Sequence, residues 1–143
     1  MNSQRLIRLT LILAALALIL TACATVPLTG RRQLSLIPDS QINSMSFQQY
    51  EQVLTESTLS SNAAETAMIN RVGGRIQKAV EQYLAQNGNS DHLNGYAWDF
   101  NLIESDQINA WCMPGGKVAF YTGILPVCED ETGVAVVMGH EIA

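Results

Sequence analysis

Histidine, cysteine and positive charge are all scarce in this chain. Of 143 residues, two are histidine, three are cysteine and eight are Lys or Arg, set against 13 Asp or Glu. The shortage of positive charge gives a formal net charge of −5 and leaves no basic patch, which argues against nucleic acid as a partner. Long apolar runs are missing as well. The longest, Leu11–Leu20, has ten residues and falls short of the roughly 20 needed to span a bilayer. Internal repeats and low-complexity tracts are also absent. What remains is a length that accommodates one domain with a core of ordinary size.

The short apolar run has its own reading. Met1–Thr10 carries Arg5 and Arg8 and no acid, so residues 1–20 have the basic n-region and apolar h-region of a secretory signal. The following Leu20-Thr21-Ala22-Cys23 resembles the bacterial lipobox, in which the cysteine becomes the first mature residue. That resemblance implies a lipoprotein signal peptide at 1–22. It also implies a diacylglyceryl thioether on Cys23 and an acyl chain such as palmitate on its amine. Each buried methylene contributes about 0.8 kcal/mol, so several chains hold a protein firmly to a membrane where one does not. Ala24 stands where an aspartate would, by resemblance to enteric lipoproteins, mark retention at the inner membrane. The expected location is therefore the outer membrane of a Gram-negative bacterium, facing the periplasm. The alternative is a plain signal peptide with an incidental cysteine. Without residues 1–22 the chain keeps six basic and 13 acidic residues, a formal charge of −7.

Residues 23–38 read as a tether: they hold two prolines, a glycine and Arg31-Arg32, with room for a short strand at Gln33–Leu36. The domain proper is expected over residues 39–143. Asp39 or Ser40 can cap a helix running to about Thr55, with Ile42, Met45, Tyr50 and Val53 as its apolar positions. Ser60, Ser61 and Asn62 form a second capping cluster. Beyond it Met68, Ile69, Val72, Ile76, Val80, Tyr83 and Leu84 recur at steps of three and four, which predicts a helix from Ala63 to about Leu84. Gly73-Gly74 interrupts it, either to let another backbone approach or to bend the helix. Asn87–Asn94 is a loop in which His92 faces solvent, with no ligand role. From Tyr96 to Ser105 the period changes to two, placing Tyr96, Trp98, Phe100 and Leu102 on one face of a strand and Asp99 and Asn101 on the other. Ile108–Met113 and Lys117–Tyr121 form a hairpin around Pro114-Gly115-Gly116. Glu129, Asp130 and Glu131 then open a last helix, Thr132–Ala143, at the end that favours negative charge.

Cys112 and Cys128 remain. In an oxidising compartment they can close a loop of about 15 residues, worth roughly 3 kcal/mol in the chain-entropy model. Two buried free thiols are the alternative. Their spacing does not suit a compact zinc knuckle.

The chemistry concentrates at His140-Glu141, near the end of the last helix. In the pattern H-E-x-x-H, residues i and i+4 of a helix stack two imidazoles toward one Zn²⁺, and the glutamate takes a proton from the attacking water. His140 and Glu141 fit the first ligand and the base, and the second histidine would stand one position after Ala143. Residues Asn109 to Ala143, NAWCMPGGKVAFYTGILPVCEDETGVAVVMGHEIA, resemble the N-A-x-x-x-P-G-G hairpin and G-H-E-[IL]-[AG]-H helix of a zinc metallopeptidase family. It is the family of HtpX and the CAAX prenyl proteases (peptidase family M forty-eight, a gluzincin). The opening, lipobox then PLTGRRQLSLIPDS, resembles its periplasmic lipoprotein branch.

The resemblance implies an α+β, zincin-like N-terminal portion: helices, then a small antiparallel sheet, then the start of the zinc-binding helix. It makes His140 a zinc ligand and Glu141 the general base, with one Zn²⁺ per full-length protein. The strand Ile108–Met113 or its partner Lys117–Tyr121 would flank the cleft, and Gly139 would give close packing behind the metal. It further implies hydrolysis of periplasmic or outer-membrane proteins in envelope quality control. The family draws its second histidine and a glutamate ligand from positions beyond Ala143. The chain is therefore expected to be an N-terminal fragment, inactive by itself, because one imidazole cannot hold catalytic zinc. The alternative function is a non-catalytic lipoprotein chaperone or adaptor in outer-membrane assembly.

Overall fold

The computed structural model describes residues 4, 7–13, 23–25, 32–34 and 37–143, and the chain divides into two compact units, Met1–Pro38 and Asp39–Ala143. In the first unit, residues 7–13 are helical and expose Ile7, Leu9, Leu11, Ile12 and Leu13. Two strands, β1 (Cys23–Thr25) and β2 (Arg32–Leu34), pair antiparallel with Cys23 opposite Leu34. The strand expected at Gln33–Leu36 thus starts one residue early. Residues 14–22, with most of the expected signal segment's apolar run and the residues before Cys23, lie outside the described residues, as do 35 and 36. Among the described residues no helix is long and apolar enough to cross a membrane.

The second unit runs α1 (Asp39–Glu56), α2 (Ala63–Gln86), β3 (Asp99–Ile103), β4 (Ala110–Met113), β5 (Lys117–Tyr121), α3 (Leu125–Cys128) and α4 (Glu131–Ile142). Single 3-10 turns at Ser90–Leu93 and Thr122–Ile124 complete it, and the architecture is α+β. Helix α2 starts at its capping cluster. The Asn62 Oδ1 accepts from the Ala64 and Glu65 N–H groups at 3.1 and 3.3 Å, satisfying donors that the helix itself leaves free. Its stripe buries Ile69, Val72 and Leu84, whereas Tyr83 turns out to be exposed. Gly73 makes room for a side-chain ring and neither admits a backbone nor bends the helix: a Cβ there would lie 2.5 Å from the Phe100 ring, and the helix continues through it without a break.

The sheet corrects one expectation. It is mixed, with order β3-β5-β4, and not antiparallel throughout. The β4–β5 hairpin is antiparallel, with Cys112 opposite Val118, but β3 runs parallel to β5, with Phe100 opposite Val118. The cause is the link from β3, which carries the chain to the far edge so that the returning β5 fills the middle. That link is pinned where it turns: Ser105 N donates to Thr122 Oγ1 at 3.0 Å, and Gly123 N donates to Ser105 O at 2.8 Å. Burial from Lys117 through Phe120 marks β5 as a strand covered on both faces.

One core lies between the sheet and helices α2 and α4, formed by Ile69, Val72, Phe100, Val118, Phe120, Val134 and Met138 among others. A smaller one on the opposite face gathers Tyr50, Ile103 and Ala119 with Val53, Leu54, Trp111, Met113 and Tyr121. Here α1 departs from its apolar pattern. It buries Asn43 and Ser46 beside Tyr50, while Met45 is exposed. The reason is polar contact with the hairpin: Ser46 Oγ donates to Pro114 O at 2.7 Å, and Tyr50 Oη donates to Val118 O at 2.9 Å while accepting from Asn101 Nδ2 at 3.0 Å. Lys117 Nζ lies over the Phe47 and Tyr50 rings, 4.8 and 5.6 Å from their centroids. The hairpin turn fits beneath α1 because Gly115 and Gly116 both take left-handed backbone, φ 83 and 81°, with the Phe47 and Trp98 rings where side chains would be. Strands β3 and β4 are shorter than the alternation suggested. Tyr96 and Trp98 continue the β3 face as ring contacts, at 5.3 Å from each other and 6.1 Å from Trp98 to Phe100, and Ile108 is exposed ahead of β4.

Candidate metal centre

The helix bearing His140-Glu141 is fixed at its far end. Asp130 is extended and its carboxylate accepts from Thr132 N at 2.7 Å and Gly133 N at 3.0 Å. Those bonds to Gly133 and Thr132 hold the Asp130 carboxyl below its usual range. Glu131, in the first turn, forms a hydrogen-bonded ion pair with Arg71 of α2, Nη2 to Oε2 at 2.6 Å, and that bond lowers its pKa in turn. A side chain on Gly133 would collide with the Cys128 carbonyl, so α4 can leave α3 as tightly as it does. Val134 and Met138 are then buried against the sheet. The anchoring has a functional consequence. It directs α4 along β4, with His140 exposed, Glu141 half-buried and Ile142 packed against the core.

The two edges of the sheet differ. The outer edge of β3 is occupied: Ser60 N donates to Leu102 O and Glu104 N to Thr58 O, both at 2.8 Å. Among the described residues nothing pairs with the outer edge of β4. Of the two strands expected to flank a cleft, only β4 therefore has free main-chain donors and acceptors, since β5 is central. Side chains alternate along β4. Trp111 and Met113 join Tyr50 on the α1 face, with the Trp111 Nε1 donating to Tyr121 Oη at 3.3 Å. Ala110 and Cys112 face the core that contains Met138 and Ile142. The Cys112 thiol is pushed up to about 11, first by burial and second by the negative charge of Glu141, and helix α4 itself packs against β4.

Both Cys112 and Cys128 are free thiols in the structure, so the expected bridge is not formed there. Cys112 is on the edge strand, with Sγ 3.5 Å from Met113 O, while Cys128 is buried at the end of α3. Gly139 also departs from expectation, since a Cβ there would meet nothing within 4 Å among the described residues. His92 is exposed in its 3-10 turn. A pocket of about 360 Å³ opens beside the N-terminal half of α4, lined by Glu65, Met68, Leu125 and Val134 among others, away from His140. Sequence reasoning missed α3, whose Leu125-Pro126 start was a usable signal for a helix. It also missed the Arg71–Glu131 pair, which has no local signature.

Among the described residues no three His, Cys, Asp or Glu side chains gather into a metal-binding group. His140 offers one solvent-facing imidazole with a carboxylate adjacent in sequence. That donor set fits the first ligand and the base of a His-Glu metal motif, and extends no further. An α+β unit with such a helix turn beside an open strand has the ingredients of a zincin-type site. Comparison with known proteins agrees. The sequence profile of Peptidase family M48 matches residues 70–143, from within α2 to the His-Glu turn, and the chain belongs to that family. It is 33% identical over 121 residues to the mitochondrial metalloendopeptidase OMA1 of Schizosaccharomyces pombe, covering 82% of this chain and 33% of that protein. It is 28% identical over 118 residues to the mitochondrial metalloendopeptidase OMA1 of Bos taurus, covering 82% of this chain and 22% of that protein. Over 67 residues it is 33% identical to the protein of the same name from Arabidopsis thaliana, 47% of this chain and 14% of the relative. The chain thus spans a third or less of the length of these relatives.

Proposed function

We propose that the protein containing this chain is a zinc-dependent metalloendopeptidase. In this reading it is held to the outer membrane through Cys23 and cleaves misfolded or misassembled proteins in the periplasm. The observation that carries the catalytic part is the packing of α4, the helix that ends in His140-Glu141, against the edge strand β4, within the segment that matches the family. The location rests on residues 1–24 alone, because the relatives named above are mitochondrial proteins.

An extended peptide adds to the outer edge of β4 as a further strand, held by main-chain hydrogen bonds with little dependence on sequence. That mode suits unfolded segments, whose backbone is available. His140 serves as a metal ligand through its exposed imidazole, with the remaining ligands supplied from outside these 143 residues. When bound, zinc acidifies a water molecule and polarises the scissile carbonyl. Glu141 takes the proton from the attacking water and returns it to the leaving amine. The α4 anchors at Asp130 and Glu131 keep the carboxylate at a fixed height against β4, which is the positioning that such a proton transfer requires.

The test uses the full-length protein and a casein-type substrate. Cleavage should be abolished by a metal chelator and restored by zinc, and Glu141→Gln should lower it by at least about a hundredfold. Activity indifferent to both would refute the mechanism. Binding of unfolded protein with no hydrolysis would favour the chaperone or adaptor reading.

A further inference from the structure

Resting on the reading of β4 as the substrate-binding edge, we propose that Cys112 sets the size of the substrate side chain admitted beside Glu141. The argument starts from strand geometry. A peptide added to an edge strand has alternate side chains on opposite faces, each next to its cross-strand neighbour about 4.5–5.5 Å away. On β4 the two faces are unlike. Trp111 and Met113 belong to the α1 face, with Tyr50 and Tyr121, whereas Cys112 turns to the α4 face with Met138 and Ile142. The substrate residue opposite Cys112 therefore points its side chain into the space between the strand and the last turn of α4. Cys112 is half-buried there, on the only edge of the sheet left unpaired among the described residues, and packs against the same core as Ile142 of the last turn. Its side chain forms the wall that this substrate side chain meets.

A small residue at 112 leaves that space open, and a long one fills it. The neighbouring positions do not substitute for it: Ala110 is buried at 6% exposure, and Trp111 and Met113 belong to the other face. Cys112 is thus a specificity-determining residue, with no part in proton transfer or metal binding.

The test compares full-length wild type, Cys112→Ala and Cys112→Met on a peptide library varied one position at a time. Cys112→Met should lower kcat/KM about tenfold or more for peptides carrying a bulky residue at one position. Peptides with Gly or Ala there should stay within about twofold, and Cys112→Ala should shift the preference toward larger residues. The same discrimination should appear in peptide Kd measured on a Glu141→Gln background, where turnover plays no part. An equal fall for all peptides, or none, would overturn the assignment, since a structural role changes every substrate alike. Should Cys112→Met fail to fold, an unchanged profile in Cys112→Ala would overturn it equally. A wild type lacking chelator-sensitive cleavage removes the peptidase reading and this inference together, whereas an active enzyme with an unaltered profile removes this inference alone.

Discussion

Tyr50 shows how much of the fold depends on single side chains. It is fully buried, its hydroxyl is held protonated by burial, and it joins α1 to β5 through Val118 O and to β3 through Asn101. Tyr50→Phe removes the hydroxyl that donates to Val118 O and accepts from the half-buried Asn101 amide, and should cost about 1–2 kcal/mol in chemical denaturation. Gly73→Ala should cost about 1–3 kcal/mol by the same measurement, because the Phe100 ring already occupies the space a methyl would take. Thiol titration of denatured, unreduced protein should fall by two when Cys112 and Cys128 are both replaced by Ser, matching their free state. In the native state Cys112 should be alkylated slowly at neutral pH, since burial and Glu141 keep it protonated. At this scale the sequence was partly legible. His140-Glu141 announced itself by residue type and spacing, but the exchange of Met45 for Asn43 and Ser46 on the buried face of α1 did not. Polar residues become core residues only when a distant partner, here Pro114 O for Ser46, satisfies them.

Among the elements, α4 matters most because its cap fixes its direction. Asp130 has a folded pKa below its unfolded value, so its contribution is present above the carboxylate range and disappears as pH falls through the folded pKa. Asp130→Ala should therefore lower the thermal midpoint at pH 7, and the deficit should shrink as pH falls below about 4, as followed by circular dichroism. Helices α2 and α4 could be located in advance because their caps and periodicity are local. The order β3-β5-β4 could not, because strand pairing is decided by the crossing link and by burial of β5 on both faces. The same limit explains why the two candidate cleft strands could not be told apart until one proved central.

At the scale of the whole molecule, a helix anchored at Asp130 and Arg71 and a sheet with one edge unpaired among the described residues converge on a His-Glu turn. Family membership over residues 70–143 gives that convergence its chemical meaning. The claim beneath the functional reading is that His140 binds zinc and that Glu141, next to it, does not. Zinc content of purified full-length protein, measured by atomic spectroscopy after dialysis, addresses this directly. Wild type and Glu141→Gln should each retain about one zinc per polypeptide, and His140→Ala should lose it while keeping its helical signal. Zinc retained in full by a folded His140→Ala variant, or absent from wild type supplied with zinc, would contradict the account.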